Sequence, residues 1–426
     1  MRQAGTPFSR DDLMLAALIA LMAGAVYAGL ALRLAQGAFG EYDNLAFDFD
    51  AQRYVALYAG DDYERGNVKH PMIVLLRPLG LLLRGLGLAP ASAAGLLMAL
   101  CGGATAGVVF LILRTIAVAT LPAVALAMLF AVSASQVITA MVPEAYGPAA
   151  LGLAITWLLA ARALLAPAQP GIAWGRVAAA VAAFGITTTN VMQPVLAELL
   201  IRWRWHGARG AIVKLIGFGL VAGAIALGLT ALVWADHLAA LLADPLVVAR
   251  EIFWQRTKGE RVGLADTVLR LLGYAVVPPR FSTLELPEGI AMLGFRAPEF
   301  TWRSLSATVL WHGFWAVGAV AMLMQRRLRW LAAGLVAVLV LNVIFHLDFQ
   351  FRGSLFLYSA HVNLALFLLG CGAAPLLRPG SRAARAYLAV VVALVVLVGM
   401  VSLDRAATIA VSFDKVQTRC AAPCQD

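Results

Sequence analysis

Three groups of residues in this chain are of types and spacings that do chemistry. The first is acidic and aromatic, Glu41-Tyr42-Asp43-Asn44-Leu45-Ala46-Phe47-Asp48-Phe49-Asp50, followed by Ala51-Gln52-Arg53-Tyr54-Val55-Ala56-Leu57-Tyr58. The second part reads as a short helix with Asp50 near its N-terminus, where a carboxylate is favoured. Side chains two apart on an extended segment point opposite ways, so only one of Asp48 and Asp50 faces a given cavity. The second group is basic and aromatic: Arg250, Glu251, Arg256, Lys258, Glu260 and Arg261, interleaved with Phe253 and Trp254. Such a mixture suits the phosphate of a lipid headgroup, and serves equally well as a solvated flap. The third lies in apolar surroundings: His346-Leu347-Asp348-Phe349-Gln350-Phe351-Arg352, then Tyr358 and His361 one helical turn apart. Ionisable groups at membrane depth are functional candidates by default. The structural alternatives are an Arg352–Asp348 tether and an interhelical role for His361.

The elements that must position these groups are membrane helices. The chain has 426 residues, of which 62% are hydrophobic and only 13% charged, and its mean hydropathy is +0.84. A soluble domain needs roughly a quarter of its residues charged, so most of this surface faces lipid. The net charge of +10 follows largely from Lys and Arg in short cytoplasmic loops. No base-stacking aromatic motif accompanies it, which excludes nucleic acid as a partner.

Apolar runs of spanning length occur at about 13–32, 91–113, 115–135, 148–166, 211–234, 303–324, 331–347, 354–377 and 386–403. The first follows Arg2 and Arg10, is too long for a signal peptide and lacks a convincing cleavage site, so it reads as a retained helix. The stretch 174–201 is long for one span and is interrupted by Gly185, Thr187-Thr188-Thr189-Asn190 and Pro194. Arg162 and Arg176 before it, and Arg202, Arg204, Arg209 and Lys214 after it, place both ends in the cytoplasm. The stretch must then cross twice. The expectation is an all-α integral membrane protein with about eleven spans, its N-terminus cytoplasmic and its C-terminus extracytoplasmic. Residues 1–403 form one transmembrane domain and 404–426 a short outward tail. Arg114, the group Arg326, Arg327 and Arg329, and the group Arg378, Arg382 and Arg385 all fall in cytoplasmic turns of that scheme.

The acids are distributed asymmetrically. Of 23, this scheme leaves only Asp11 and Asp12 in the cytoplasm and only Glu198 within a span. The rest face outward, chiefly in the loops 33–90 and 235–302, which is where polar work is expected. Met72 to Leu88 is apolar, punctuated by Gly and Pro and interrupted by Arg77 and Arg84, and reads as an amphipathic helix in the outer interface. Pro278-Pro279, Pro287 and Pro298 predict irregular chain in the second loop. Cys101 and Cys371 read as small core residues. Cys420 and Cys424 are spaced for a local disulfide if the tail is extracytoplasmic. Gly102-Gly103 is explained by close helix packing.

The layout resembles the GT-C superfamily of membrane glycosyltransferases. Asp50-Ala51-Gln52-Arg53-Tyr54 looks like the Asp-x-x-Arg-Tyr element that follows the first helix in many bacterial members. Lys69-His70-Pro71 is similar to the His-Pro element closing the same loop, and Glu144-Ala145-Tyr146 to the Glu/Asp-x-Tyr of the second outward loop. The topological likeness covers nearly the whole chain and the motifs about thirty residues. The departure is at the C-terminus, where many relatives append a soluble domain.

The resemblance implies transfer of a sugar from a polyprenyl-phosphate donor to a glycan, lipid or protein acceptor, usually with inversion, at the outer face of a bacterial inner membrane. A carboxylate must accept the proton of the attacking hydroxyl; Asp50 is the candidate, with Asp48 in reserve, and an N-capping role is the structural alternative for Asp50. The departing lipid phosphate needs cations or hydrogen-bond donors, for which Lys69, His70, Arg256, Lys258 and Arg352 are available. Arg53, Tyr54, Glu144, Tyr146, Tyr358 and His361 complete the expected substrate site. Some relatives use a divalent ion such as Mg or Mn and others none; Asp48, Asp50 and Glu144 are of the type that would hold one, and no metal is assigned. Two other classes stay open: a secondary transporter or flippase, supported by the interrupted 174–201 hairpin, and a membrane acyltransferase, kept alive by His361.

Overall fold

The computed structural model describes residues 8–37, 39, 46–47, 49–60, 71–166, 170–244, 246, 262–285, 291–294, 299–349 and 355–412. Within them the chain is an all-α membrane protein. Its helices are α1 (Arg10–Leu34), α2 (Ala51–Ala59), α3 (Pro71–Val74), α4 (Arg77–Gly85), α5 (Pro90–Thr115), α6 (Thr120–Ala131), α7 (Ala134–Met141), α8 (Tyr146–Leu165), α9 (Pro170–Ile186), α10 (Met192–Val233), α11 (Ala235–Ala243), α12 (Leu264–Val268), α13 (Trp302–Met324), α14 (Arg329–Asp348), α15 (Ala360–Gly370) and α16 (Arg382–Ser412). A small antiparallel hairpin, β1 (Ser282–Glu285) and β2 (Ala291–Gly294), is paired from Ser282–Gly294 to Glu285–Ala291.

Eight helical segments among the described residues are long and apolar enough to cross a membrane, or nine if α6 and α7 count as one bent span. The distance from the expected eleven lies in α9, which has 17 residues, and in α10. As a straight rod the 46-residue stretch Thr188–Val233 would measure about 69 Å, more than twice a hydrocarbon core of about 30 Å. Gly207 breaks it with φ 67° and ψ 177°, a conformation that glycine adopts without steric cost. The two arms of α10 therefore meet in the basic turn that the sequence marks with Arg202, Arg204 and Arg209. The expected interruption of 174–201 is also present: the short 3-10 turn Thr188–Val191 separates α9 from α10.

Buried charge pairs fix one end of the bundle. Arg114, at the end of α5, donates to the Asp12 carboxylate of α1 at 2.8 Å. Arg176 on α9 and Arg202 on α10 both hold Glu198, at 2.7 and 2.6 Å, with Glu198 1% exposed. Glu198, the acid expected alone within a span, is thus neutralised by two residues that the charge pattern places at the membrane edge. α1 and α5 approach closely because Gly103 and Gly107 carry no side chains; a Cβ there would lie 2.4 Å from the Ala20 carbonyl and 2.7 Å from that of Ala16.

The span expected at 115–135 bends by 60° between α6 and α7. A helix that starts inside the bundle leaves N–H groups without intrahelical partners. Here the second long loop supplies acceptors: Ala134 and Ser135 donate to the carbonyls of Val276 and Ala275 at 3.1 and 2.8 Å. Ala275, Val276 and Val277 are fully buried. The chain around Pro278-Pro279 is irregular, as expected, and the residues just before it are buried against the broken span, whose first N–H groups they cap. α16 runs on to Ser412 rather than ending near 403, and Arg405 ties it to the Pro279 carbonyl at 3.2 Å.

Candidate functional site

The opposite end of α5 from Arg114 carries the candidate site. Asp50 occupies the N-cap position of α2, yet its side chain makes no capping hydrogen bond. It pairs instead with Arg53 at 3.4 Å, with both side chains partly exposed. α2 lies against the bundle with Leu57, Tyr58 and Ala59 completely buried. Its C-terminal carbonyls are satisfied by two guanidinium groups. Arg77 donates to Ala56, Leu57 and Gly60 at 3.1, 2.9 and 2.7 Å, and Arg84 donates to Ala59 at 2.9 Å. The expected amphipathic run is therefore two helices, α3 and α4, whose arginines point at α2 while Leu79, Leu81, Leu82 and Leu86 stay exposed. Gly80 permits the approach, since a Cβ would fall 2.2 Å from the Tyr58 carbonyl.

Beneath α2 sits the turn between α7 and α8. The Tyr58 hydroxyl donates to the main-chain carbonyl of Glu144 at 3.2 Å, and the Tyr54 ring lies 5.9 Å from that of Tyr58 on the same helix face. Burial pushes the Tyr54 hydroxyl well above its ordinary ionisation range, and the charge of Glu144 adds to this. Burial does the same for Tyr58. Both remain neutral donors. Glu144 precedes Tyr146 by two residues in this turn, and Asp50 follows Phe49, whose ring contacts that of Tyr146.

From Tyr146 a chain of rings leads inward. Its ring lies 6.4 Å from Phe49, 6.2 Å from Tyr358 and 5.2 Å from His361. Tyr358 stacks on His346 at 4.3 Å. His361 is buried, and its Nε2 has no hydrogen-bond partner among the described residues. Its main-chain carbonyl accepts from Gln193 at 2.6 Å, and Gln193 accepts from the Trp157 indole at 2.9 Å. On either side of His361, Asn363 donates to Ser133 at 3.0 Å and Ser359 donates to Ser135 at 2.9 Å. A polar seam thus runs between α15 and the broken span.

The two long loops meet over this site. Phe47 donates its N–H to the Leu293 carbonyl at 2.9 Å. Its ring lies 5.2 Å from Phe281 and 5.0 Å from Phe356.

The structure thus brings together Asp50, Arg53, Tyr54, Glu144, Tyr146, Tyr358 and His361. Asp48, Lys69, His70, Arg256, Lys258 and Arg352, like Cys420 and Cys424, lie outside the described residues. Tyr58, Gln193, His346 and the Ser133–Asn363 pair are added. For Tyr58 the available signal is its spacing of four from Tyr54 on one helix face; for Asn363, it is an amide placed two residues after His361 within an apolar span. Among the described residues no group of three or more His, Cys, Asp or Glu side chains gathers as a metal site. Asp50 and Glu144 are the two described members of the carboxylate trio suited to a divalent ion, and Asp48, the third, falls outside. Chemically, the site offers a partly exposed carboxylate–guanidinium pair beside a buried carboxylate, tyrosine hydroxyls and an imidazole nitrogen. Compared with protein-family models and with curated proteins, the sequence matches none.

Proposed function

We propose that the chain is a membrane glycosyltransferase that moves a sugar from a polyprenyl-phosphate donor to a hydroxyl acceptor outside the cytoplasm. In this reading it crosses a bacterial inner membrane eleven times with its N-terminus inside. The observation that carries the proposal is the meeting of the Asp50, Glu144–Tyr146 and His361 segments, from three distant parts of the chain, through the contacts of Phe49 and His361 with the Tyr146 ring. Asp50, its side chain not used as a helix cap, is the general base. It takes the proton of the acceptor hydroxyl as that oxygen attacks the anomeric carbon. The bond from that carbon to the phosphate oxygen breaks, its electron pair leaves with the lipid phosphate, and the configuration inverts. Arg53, half exposed beside Asp50, is placed to meet the phosphate. Tyr58 keeps Glu144 fixed.

The test is turnover of the reconstituted protein with a radiolabelled polyprenyl-phosphate sugar, reading release of lipid phosphate. D50N should lower the rate by about two to four orders of magnitude in a protein that still folds. Normal turnover by D50N refutes Asp50 as base. A transporter is the second reading, favoured by the broken span and its Ser133–Asn363 seam; movement of a substrate without release of lipid phosphate would select it.

A further inference from the structure

At the end of the bundle opposite the candidate site, two guanidinium groups hold one buried carboxylate, and two more stand on α10 and α14. Glu198 is consumed: Arg176 bonds one of its oxygens and Arg202 the other. Arg204, on α10, and Arg329, at the start of α14, have no carboxylate partner among the described residues. Their sequence neighbours Trp203 and Trp330 are in ring contact across α10 and α14, which brings the two cations to one place on this face, and Arg329's charge is felt at Arg204. The juxtaposition is built in. α10 and α14 are registered by Gly334, where a Cβ would lie 2.8 Å from Leu200 and from Trp157. About one turn further along, the Trp203 and Trp330 rings meet at 6.3 Å. Arg204 lies over the Trp205 ring at 5.0 Å and Arg329 over the Trp330 ring at 6.0 Å, so each cation is held by an aromatic face. The Trp205 indole in turn donates to the Ala163 carbonyl at 3.0 Å, tying in the end of α8.

Like charges held together across two helices with the local acid already spent repel unless an anion joins them. The surroundings say which anion. Trp174, Trp203 and Trp205 are 67%, 48% and 41% exposed, at the ends of apolar helices. Tryptophan in that position marks the headgroup level of a bilayer, where a phosphate arrives with acyl chains attached. Turns of basic residues at that level attract anionic lipid at roughly 1 kcal/mol per cation.

We propose that Arg204 and Arg329, framed by Trp203, Trp205 and Trp330, form a binding site for the phosphate of an anionic phospholipid headgroup, separate from the candidate catalytic site. The proposal depends on the chain being a membrane protein and not on the reaction it performs.

The experiment is native mass spectrometry of the full chain released from bilayer discs holding equal amounts of phosphatidylglycerol and phosphatidylcholine. The unmodified protein should retain phosphatidylglycerol preferentially, and R204Q/R329Q should lose that preference by about tenfold. R329Q alone, altering an exposed side chain, should lose part of it and gives a reading if the double variant folds poorly. R378Q/R382Q, in another exposed basic turn, should keep it. Unchanged preference in R329Q and in the double variant overturns the proposal, as does equal loss in R378Q/R382Q, which would make the effect one of general charge. Millimolar inorganic phosphate should not displace the lipid; displacement would assign the cations to free phosphate instead.

Discussion

The Tyr58 hydroxyl and the Glu144 carbonyl, 86 residues apart in the chain, share a hydrogen bond of 3.2 Å. It joins the first loop to the turn that carries two of the expected site residues. Y58F leaves a buried carbonyl without its donor, a loss of about 1–3 kcal/mol. Thermal unfolding in detergent should show that loss, with a smaller proportional fall in turnover than D50N produces.

Tyr54 and Tyr58 also give the protein an alkaline limit. Their folded ionisation lies above the ordinary value of 10.0, chiefly through burial. The unfolded chain therefore gives up these protons first. Stability from the pair is complete below about pH 10 and is lost progressively as the pH rises beyond it. Tyrosinate absorbance of the two should appear together with unfolding, and in Y54F/Y58F the fall of stability with pH above 10 should be shallower. Ionisation of either residue in a folded protein would contradict this.

Glu198 predicts an asymmetric mutational pattern. E198A strands Arg176, which is 6% exposed, and should cost about 3–5 kcal/mol. Replacing both members with apolar residues, as in R176M/E198L, should recover much of that loss, because the buried charge is removed with its partner. Denaturant titration of the three proteins checks the order.

Phe47 is the clasp between the two long loops. F47A removes a ring packed on Phe281 and Phe356 and should cost about 3–5 kcal/mol if the loops stay closed. Limited proteolysis should then show faster cleavage in both loops with the spans intact. Cleavage confined to the first loop would mean that Phe47 does not hold the second.

The proposed orientation is open to direct labelling. In a chain with its four cysteines replaced by serine, a cysteine at Ala208 should react with an impermeant reagent only from the cytoplasm. One at Gln255 should react only from outside. The reverse pattern would invert the topology and place Asp50 in the cytoplasm.

What the sequence makes legible, and what it hides, divides by the kind of force involved. α2 can be read from Ala51–Tyr58 because helix formers and the position of Asp50 are local properties. The contact of Tyr358 with His361 follows from helical spacing. The interruption near Thr188 is visible because polar and β-branched residues break an apolar run. The bend at Ser133 is not, because Ser133 and Ser135 are small and compatible with a continuous span, and the acceptors that complete the bend are main-chain carbonyls of Ala275 and Val276. A side-chain alphabet carries no mark of where a distant carbonyl points. Arg176 shows the same blindness in another form: loop charge identifies it as a marker of the membrane edge, and only the packing of α9 on α10 makes it the partner of Glu198.

The carbonyls of Ala275 and Val276 impose an order on biogenesis. A chain inserted segment by segment delivers α7 to the bilayer when residues 275 and 276, more than a hundred positions downstream, have not been made. Until they arrive, the N–H groups of Ala134 and Ser135 have no such acceptors, and exposed amides in hydrocarbon are costly. The expected state of the nascent protein is a straighter α6–α7 span, or one kept near water, until the second loop folds back. A ribosome stalled before residue 275 should carry a differently packed bundle from one stalled after 281, so the final architecture is a late event in synthesis.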